Sequence, residues 1–318
     1  MAQIVSIIGI THNPFMPRLF KQPQQPPGAA KVKERIAMMR QKLAEATPDV
    51  LIAIGNDHLH QFFMDNMPAF MIGKMDRYDG TYYDEIREFD LPTCKLPGDP
   101  ELSEAIMEGA FDRGVDFAYS NELTIDHSII VPMLFVRPEM DLPIVPILTN
   151  CIAPPMPRPK RFYEVGQAIR AAIDGLSTNK RIGVLVSGHL SLEIGGPKQF
   201  ERHLTDPNFD AAAVGWIING DIQGAAEGCT PEKMMKAGNM TTGYLNFLLM
   251  MGVANSTKPS YAEGLDAGFP AIPFFSWEPE KRGQEPFFWS TEIRTELSPR
   301  LTEQWTKPFG QRKRAQHE

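Results

Sequence analysis

The sequence lacks the features that mark membrane, secreted or disulfide-stabilised proteins. It has no apolar run near the roughly 18 residues that a membrane-spanning helix needs. No basic residue precedes the apolar run at residues 4–10, which predicts a first strand rather than a signal peptide. Its three cysteines, Cys94, Cys151 and Cys229, are odd in number and far apart, which argues against a disulfide framework and a zinc finger. We therefore expect a cytoplasmic protein with no membrane partner.

An excess of positive charge is also missing. The chain has 32 Lys and Arg against 39 Asp and Glu, a net charge of −7. Nucleic-acid binding needs a basic face, so we expect no nucleic-acid partner. The basic cluster at residues 312–314 is typical of a solvated tail. The sequence also contains no Walker A loop, no G-x-G-x-x-G and no G-x-S-x-G elbow.

Short apolar runs alternate with amphipathic segments, which is typical of an α/β sheet. The pattern predicts strands at residues 4–10, 50–55, 70–73, 117–120, 142–148 and 182–187, and helices at 29–46, 100–114, 161–173, 211–225 and 242–251. We expect one α/β domain over residues 1–318, with a central mixed sheet flanked by helices. A helical C-terminal layer is expected after about residue 208, followed by a C-terminal extension over residues 278–318.

Three histidines each follow a predicted strand: His12 the first, His58 the second, and His189 the strand at residues 182–187. In open α/β sheets, side chains just beyond the carboxyl ends of strands project into the ligand-binding crevice. Neutral imidazole binds iron, zinc, copper and nickel, so these side chains are candidate ligands of a divalent metal. The alternative interpretation is that each is a hydrogen-bonded loop residue. His127 is a fourth candidate, because the neighbouring Asp126 is able to orient an imidazole.

An ordered set of motifs resembles class III extradiol ring-cleaving dioxygenases. Thr11-His12-Asn13-Pro14 is similar to the first metal-ligand segment of that family, and Asn56-Asp57-His58 is similar to the second. Asp126-His127 resembles the Asp-His-Gly segment whose histidine lines the active site. The nearest type is the β-subunit of protocatechuate 4,5-dioxygenase, and the similarity covers about residues 3–255.

The resemblance implies a mononuclear non-haem Fe(II) site that takes a catecholic or related small aromatic and dioxygen. It makes His12 and His58 metal ligands and places His127 beside the substrate as a catalytic residue. It also implies a homo-oligomer, or a hetero-oligomer with a homologous subunit.

Two positions depart from the family pattern. Leu192 stands where relatives have the acid/base histidine, and Gly243 stands where relatives have the ligand glutamate. An additional imidazole, His189, lies three residues before Leu192. We expect His189 to act either as the proton carrier or as the third ligand. Glu193 is the other candidate third ligand.

Three functions remain open from the sequence. The first is an extradiol-type dioxygenase with a rebuilt site, since His12, His58 and His127 are all retained. The second is a non-catalytic subunit that pairs with a competent homologous chain and binds little or no metal. The third is a metal-dependent lyase or hydrolase that holds Zn²⁺ at the same histidines.

Overall fold

The computed structural model describes residues 1–196, 205–268 and 270–277 of the chain. In chain order its strands are β1 (Gln3–Ile10), β2 (Val50–Asn56), β3 (Phe70–Gly73), β4 (Arg77–Gly80), β5 (Cys94–Pro97), β6 (Ala118–Ser120), β7 (Thr124–Ile125), β8 (Ile144–Thr149), β9 (Arg181–Ser187), β10 (Tyr261–Leu265) and β11 (Ile272–Trp277). Its α-helices are α1 (Phe15–Leu19), α2 (Ala29–Ala46), α3 (Tyr83–Phe89), α4 (Pro100–Phe111), α5 (His127–Val136), α6 (Pro159–Asp174), α7 (Pro207–Asn219), α8 (Ile222–Gly228), α9 (Pro231–Ala237) and α10 (Leu245–Val253), with a 3-10 turn at Thr241–Tyr244.

The central sheet is mixed, as the sequence predicts. Its strand order is β10-β11-β1-β9-β2-β8-β3-β6. Strands β1, β9, β2 and β8 are parallel to one another, whereas β3 and β11 run antiparallel to their neighbours β8 and β1. The parallel register pairs Ile10 of β1 with Ser187 of β9, and Ile54 of β2 with Val186. The carboxyl ends of these three strands therefore meet at one edge of the sheet.

Helices cover both faces of this sheet, and each face has its own apolar core. On β2, Ile52 and Ile54 belong to the core shared with α6 and α10, whereas Leu51 and Ala53 belong to the core shared with α2 and α5. Alternate residues of a strand point to opposite faces, so both faces of β2 are covered. The strand reads as a continuous apolar run for this reason.

Several predicted elements are confirmed, and others differ for local reasons. The helix at 29–46 and the strand at 70–73 have the predicted bounds. The predicted helix at 211–225 is two helices, because Gly220 at φ 63° ends α7 and Asp221 caps α8. The sequence analysis missed α5, which is buried nearly all round and so has no amphipathic period.

The predicted helical C-terminal layer is present, and two strands that the sequence analysis did not predict follow it. Four helices follow residue 205 in the described part of the chain, but β10 and β11 then return to the sheet. Phe274 and Phe275 of β11 are fully buried there because both faces of this strand are covered. The predicted extension at 278–318 lies outside the described residues. In the ranges that the structure describes, no helix is long and apolar enough to cross a bilayer.

Candidate metal centre

Three of the four predicted histidines converge at the carboxyl edge of the sheet. His12, His58 and His189 each lie two residues beyond the end of β1, β2 and β9, respectively. The ring centroids of His12 and His189 are 4.0 Å apart, and those of His12 and His58 are 5.3 Å apart. The parallel register produces this cluster because it aligns the strand ends.

His127 joins the cluster from a different layer of the fold. Asp126 caps α5 by accepting a hydrogen bond from Ser128 N at 2.8 Å, which places His127 at the first turn of the helix. Helix α5 comes so close to β2 that a Cβ on Gly55 would overlap the Ser128 hydroxyl. The His127 ring stacks on that of His58 with centroids 3.9 Å apart. One ligand atom from each of His12, His58 and His127 lies within 4.8 Å of the others.

Oxygen acceptors orient these three imidazoles. His127 Nδ1 is 2.5 Å from Glu85 Oε1, and His58 Nδ1 is 2.9 Å from Asp126 Oδ2. An ionised carboxylate only accepts, so each Nδ1 donates its proton and each Nε2 keeps a lone pair, which in His58 accepts a hydrogen bond from Asn56 Nδ2 at 3.2 Å. His12 Nδ1 lies 3.0 Å from the Ser187 hydroxyl. Metal-binding histidines typically have their second nitrogen held in this way.

Burial disfavours the charged form of three imidazoles of the cluster, those of His12, His127 and His189. It lowers the pKa of His12 and His127 below the usual value, and neighbouring imidazoles lower both further. Burial likewise lowers the pKa of His189 to about 3. Burial opposes ionisation of Asp126, but the charge of His58 and hydrogen bonds from His58 and His60 hold its pKa well below its usual range. Neutral imidazoles backed by carboxylates are a donor set that fits a divalent metal.

His189 lies in the space that a side chain at residue 243 would enter. A Cβ on Gly243 would be 3.2 Å from His189 Cδ2, which is closer than ordinary van der Waals contact. Thr11 Oγ1 lies 3.3 Å from His189 Nδ1 and orients the ring. The two departures in the sequence, glycine at 243 and histidine at 189, are therefore spatially coupled.

The other two positions singled out in the sequence lie on the loop after β9. Leu192 is buried, and its backbone N–H donates to Thr241 Oγ1 at 3.2 Å. The carboxylate of Glu193 packs against Gly196 in its own loop. Among the described residues, the groups whose ligand atoms already lie close enough to hold a metal are His12, His58 and His127, and His60, Glu85 and Asp126; they include neither Glu193 nor His189.

The sequence analysis missed the residues that hold the imidazoles. Glu85 is fully buried in α3, and its other oxygen accepts from Tyr82 N at 2.9 Å. No local pattern distinguishes it from a surface helix glutamate. His60, which follows His58 by two residues and is expected from the sequence to be a supporting or exposed residue, has its Nε2 3.0 Å from Asp84 Oδ2. Burial opposes its charge, but the carboxylates of Asp126, 3.6 Å from Nδ1, and of Asp84 raise the pKa of His60 to about 9.

Comparison with known proteins identifies the family to which the chain is similar. The family model described as the catalytic LigB subunit of aromatic ring-opening dioxygenase matches residues 6–267. A 2,3-dihydroxyphenylpropionate/2,3-dihydroxicinnamic acid 1,2-dioxygenase of Klebsiella pneumoniae is 32% identical over 178 residues, which is 55% of this chain and 54% of that protein. A second enzyme of this name, from Pseudomonas putida, is 30% identical over 161 residues, 50% of this chain and 48% of that protein.

The chain thus spans about half the length of the curated relatives it matches. A solved structure, an uncharacterized protein from Escherichia coli K12, has a TM-score of 0.57 over 86% of this chain and 99% of its own, at 15% identity. That likeness concerns the fold alone. Because the family model covers most of the sequence, the chain belongs to the LigB family, in the class III extradiol dioxygenase superfamily.

Proposed function

We propose that this chain is an Fe(II)-dependent extradiol-type dioxygenase that cleaves a catecholic or related small aromatic ring at a rebuilt metal centre. His12 and His58 are two ligands, and His189 is the third. The observation that carries the proposal is the cluster of imidazoles at the sheet edge, with Nδ1 of His58 held by Asp126 and Nδ1 of His12 beside Ser187. Family membership supplies the reaction type.

His189 is assigned as the third ligand because it fills the volume next to Gly243. The resemblance places a ligand glutamate at 243, and a glycine there removes one donor while leaving room for the His189 ring. A histidine replaces a carboxylate with a neutral donor, so the centre loses one negative charge. Imidazole binds Fe(II) as well as Zn²⁺, so the exchange preserves metal binding.

His127 is assigned as the proton carrier. It is neutral near pH 7 because burial lowers its pKa, and it is therefore a base able to take a proton from a substrate hydroxyl. Glu85 holds its Nδ1–H and fixes the ring so that Nε2 faces the cluster. When bound, the iron would supply coordination positions for the diol and electrons for dioxygen. Leu192 is unable to carry a proton, which leaves this role to His127.

The remaining predictions belong to the same proposal. Relatives that act on dihydroxyphenylpropionate suggest a small aromatic diol as the substrate. We also propose that the protein functions in the cytoplasm as a homo-oligomer or with a homologous subunit. The non-catalytic subunit is the second candidate, and the missing glutamate at Gly243 favours it.

One experiment in two stages separates these functions. The purified chain is stripped with a chelator, reconstituted anaerobically with Fe(II) or Zn²⁺, and analysed for bound metal. It is then assayed in air-saturated buffer for oxygen uptake with catechol, protocatechuate, 2,3-dihydroxyphenylpropionate and 2-aminophenol. We expect one metal per chain with either ion, and oxygen uptake with iron alone. Little metal with co-purification of a homologous chain would support the non-catalytic subunit. Metal binding without oxygen uptake on any ring would support a lyase or hydrolase.

A further inference from the structure

A small cavity of about 40 Å³ lies beside His189. Its walls are mostly apolar side chains from separate parts of the chain, among them Met16, Leu19, Val32, Leu192 and Ile272. No charged side chain lines it among the residues that the structure describes. A cavity of this size accommodates one very small molecule and is too small for an aromatic ring.

Two polar side chains of the cavity wall, those of Thr11 and Ser191, already have partners. Thr11 Oγ1 is shared by His189 Nδ1 and Asn13 N, at 3.3 and 3.2 Å. The Ser191 hydroxyl donates to Asp210 Oδ2 at 2.9 Å and accepts from Asp206 N at 2.9 Å. A buried water needs two to four polar partners, and apolar cavities without them stay dry and take up apolar gases. The wall is therefore better suited to an apolar diatomic molecule than to water.

Phe20 connects this cavity to the surface. Its half-buried side chain lines both the small cavity and a wider surface pocket of about 550 Å³. The outer pocket is bounded by Pro17 and by Ile36 and Ala37 of α2. Rotamer changes of a partly exposed ring are fast, so the Phe20 side chain is able to change position between the two spaces that it lines.

We propose that this cavity is the entry and holding site through which dioxygen reaches the imidazole cluster, with Phe20 as the gate. The inference rests on the proposed function, because only an oxygen-consuming reaction needs this supply. The cavity ends at His189, the ring assigned as a metal ligand, and its size admits a gas molecule while excluding the aromatic substrate. Dioxygen and the ring would thus approach by different routes.

Xenon is the probe for the cavity, because it enters dry apolar spaces and needs no metal. Crystals of the metal-free full chain are pressurised with xenon and anomalous scattering is measured. We expect one xenon peak between His189 and Phe20. A filled variant, Ala271→Ile, should lose that peak, because Ala271 lines the cavity. The matched control Ala262→Ile, on β10 and outside the cavity wall, should keep it. Ala271→Val provides a smaller filling step in case Ala271→Ile does not fold.

The iron-loaded enzyme supplies the second readout. In Ala271→Ile we expect the KM for dioxygen to rise by about threefold to tenfold while the KM for the aromatic stays within about twofold, because only the gas route is narrowed. Phe20→Ala should lower the KM for dioxygen, because it removes the gate. Ordered water in the cavity in place of xenon would overturn the proposal, and so would an unchanged KM for dioxygen in Ala271→Ile.

The two proposals fail in different ways. Oxygen uptake with no xenon site and no change in the KM for dioxygen would overturn the gas route and leave the dioxygenase function intact. A xenon site in a chain that never consumes oxygen would overturn both the proposed function and the role of the cavity in dioxygen supply.

Discussion

His189 and Gly243 occupy complementary volumes: a Cβ at residue 243 would lie 3.2 Å from His189 Cδ2. The two residues are 54 positions apart in the sequence, yet the size of the side chain at one position limits the size of the side chain at the other. A larger residue at 243 would push against the imidazole, whereas loss of the imidazole would leave an opening beside a fully buried 3-10 turn. Under the proposed assignment of His189 as a ligand, the replacement of glutamate by histidine therefore involves both positions.

This coupling predicts the outcome of a ligand exchange. His189→Gly should lower the affinity for Fe(II) by about tenfold or more, because one donor is lost. The double variant His189→Gly with Gly243→Glu should regain affinity, because the carboxylate then has room to reach the metal. Metal binding is measured by competition with a chromophoric chelator.

A double variant that binds the metal no better than His189→Gly would contradict the assignment of His189. Retained affinity in His189→Gly together with its loss in His127→Ala would make His127 the third ligand.

Asp126 should control which nitrogen of His58 faces the metal. Asp126→Asn presents an NH₂ group to His58 Nδ1, which favours the tautomer with the proton on Nε2 and removes the metal-binding lone pair. We expect metal affinity to fall by about tenfold to a hundredfold. The variant can still cap α5 through its amide oxygen, but its NH₂ group also faces the backbone N–H of His58, which donates to Asp126 Oδ2 at 3.0 Å, so we expect a loss of about 1–3 kcal/mol of stability.

Asp206→Asn is the matched control for that variant. Asp206 caps α7 by accepting from Asn208 N and Phe209 N, at 3.1 and 3.0 Å, and neither of these contacts involves an imidazole. Its metal affinity should equal that of the unmodified chain. An equal loss in both variants would show that the effect arises from helix capping rather than from the His58 tautomer.

The metal-free chain should lose stability as the pH falls below about 6.5. Burial lowers the pKa of His189 from its usual value near 6.5 to about 3 in the folded state. Between about pH 3 and pH 6.5, the unfolded chain therefore binds more protons than the folded chain. The free energy of unfolding then falls with decreasing pH, by up to about 1.4 kcal/mol per pH unit for each such histidine. Urea titrations from pH 7.5 to 4.5 measure this slope. His189→Asn should reduce it, and an unchanged slope would contradict the neutral, buried state of His189.

Gly55 and Gly215 should respond in opposite ways to alanine. A Cβ at Gly55 would overlap Ser128 on α5, so we expect Gly55→Ala to cost about 1–3 kcal/mol of stability and to weaken metal binding. Gly215 lies within α7 with nothing within 4 Å of a Cβ, so Gly215→Ala should stabilise by about 0.5–1 kcal/mol. Thermal denaturation checks both variants. If the two substitutions changed the stability equally, helix α5 would have to move away from β2 to make room for the methyl group at residue 55.

Periodicity was most informative where an element has one solvent-exposed face. Helix α2 was predicted with its exact bounds because Val32, Ile36 and Met39 follow a helical period against a polar face. Helix α5 was missed because it is apolar on all sides, and β11 because its context suggested a helical layer. An element that is covered on every side has apolar residues on all its faces, so its sequence shows no alternation of apolar and polar residues from which its type could be predicted.

The sequence by itself determined that His12, His58 and His189 would lie at one edge of the sheet. That follows from their place just beyond parallel strands, whose carboxyl ends align. Only the tertiary structure decided that Glu85 and Ser187 hold the imidazoles of His127 and His12, across 42 and 175 positions of the chain. Strand ends depend on local patterns, whereas a contact between distant residues depends on how the layers pack, and no short stretch of sequence records that.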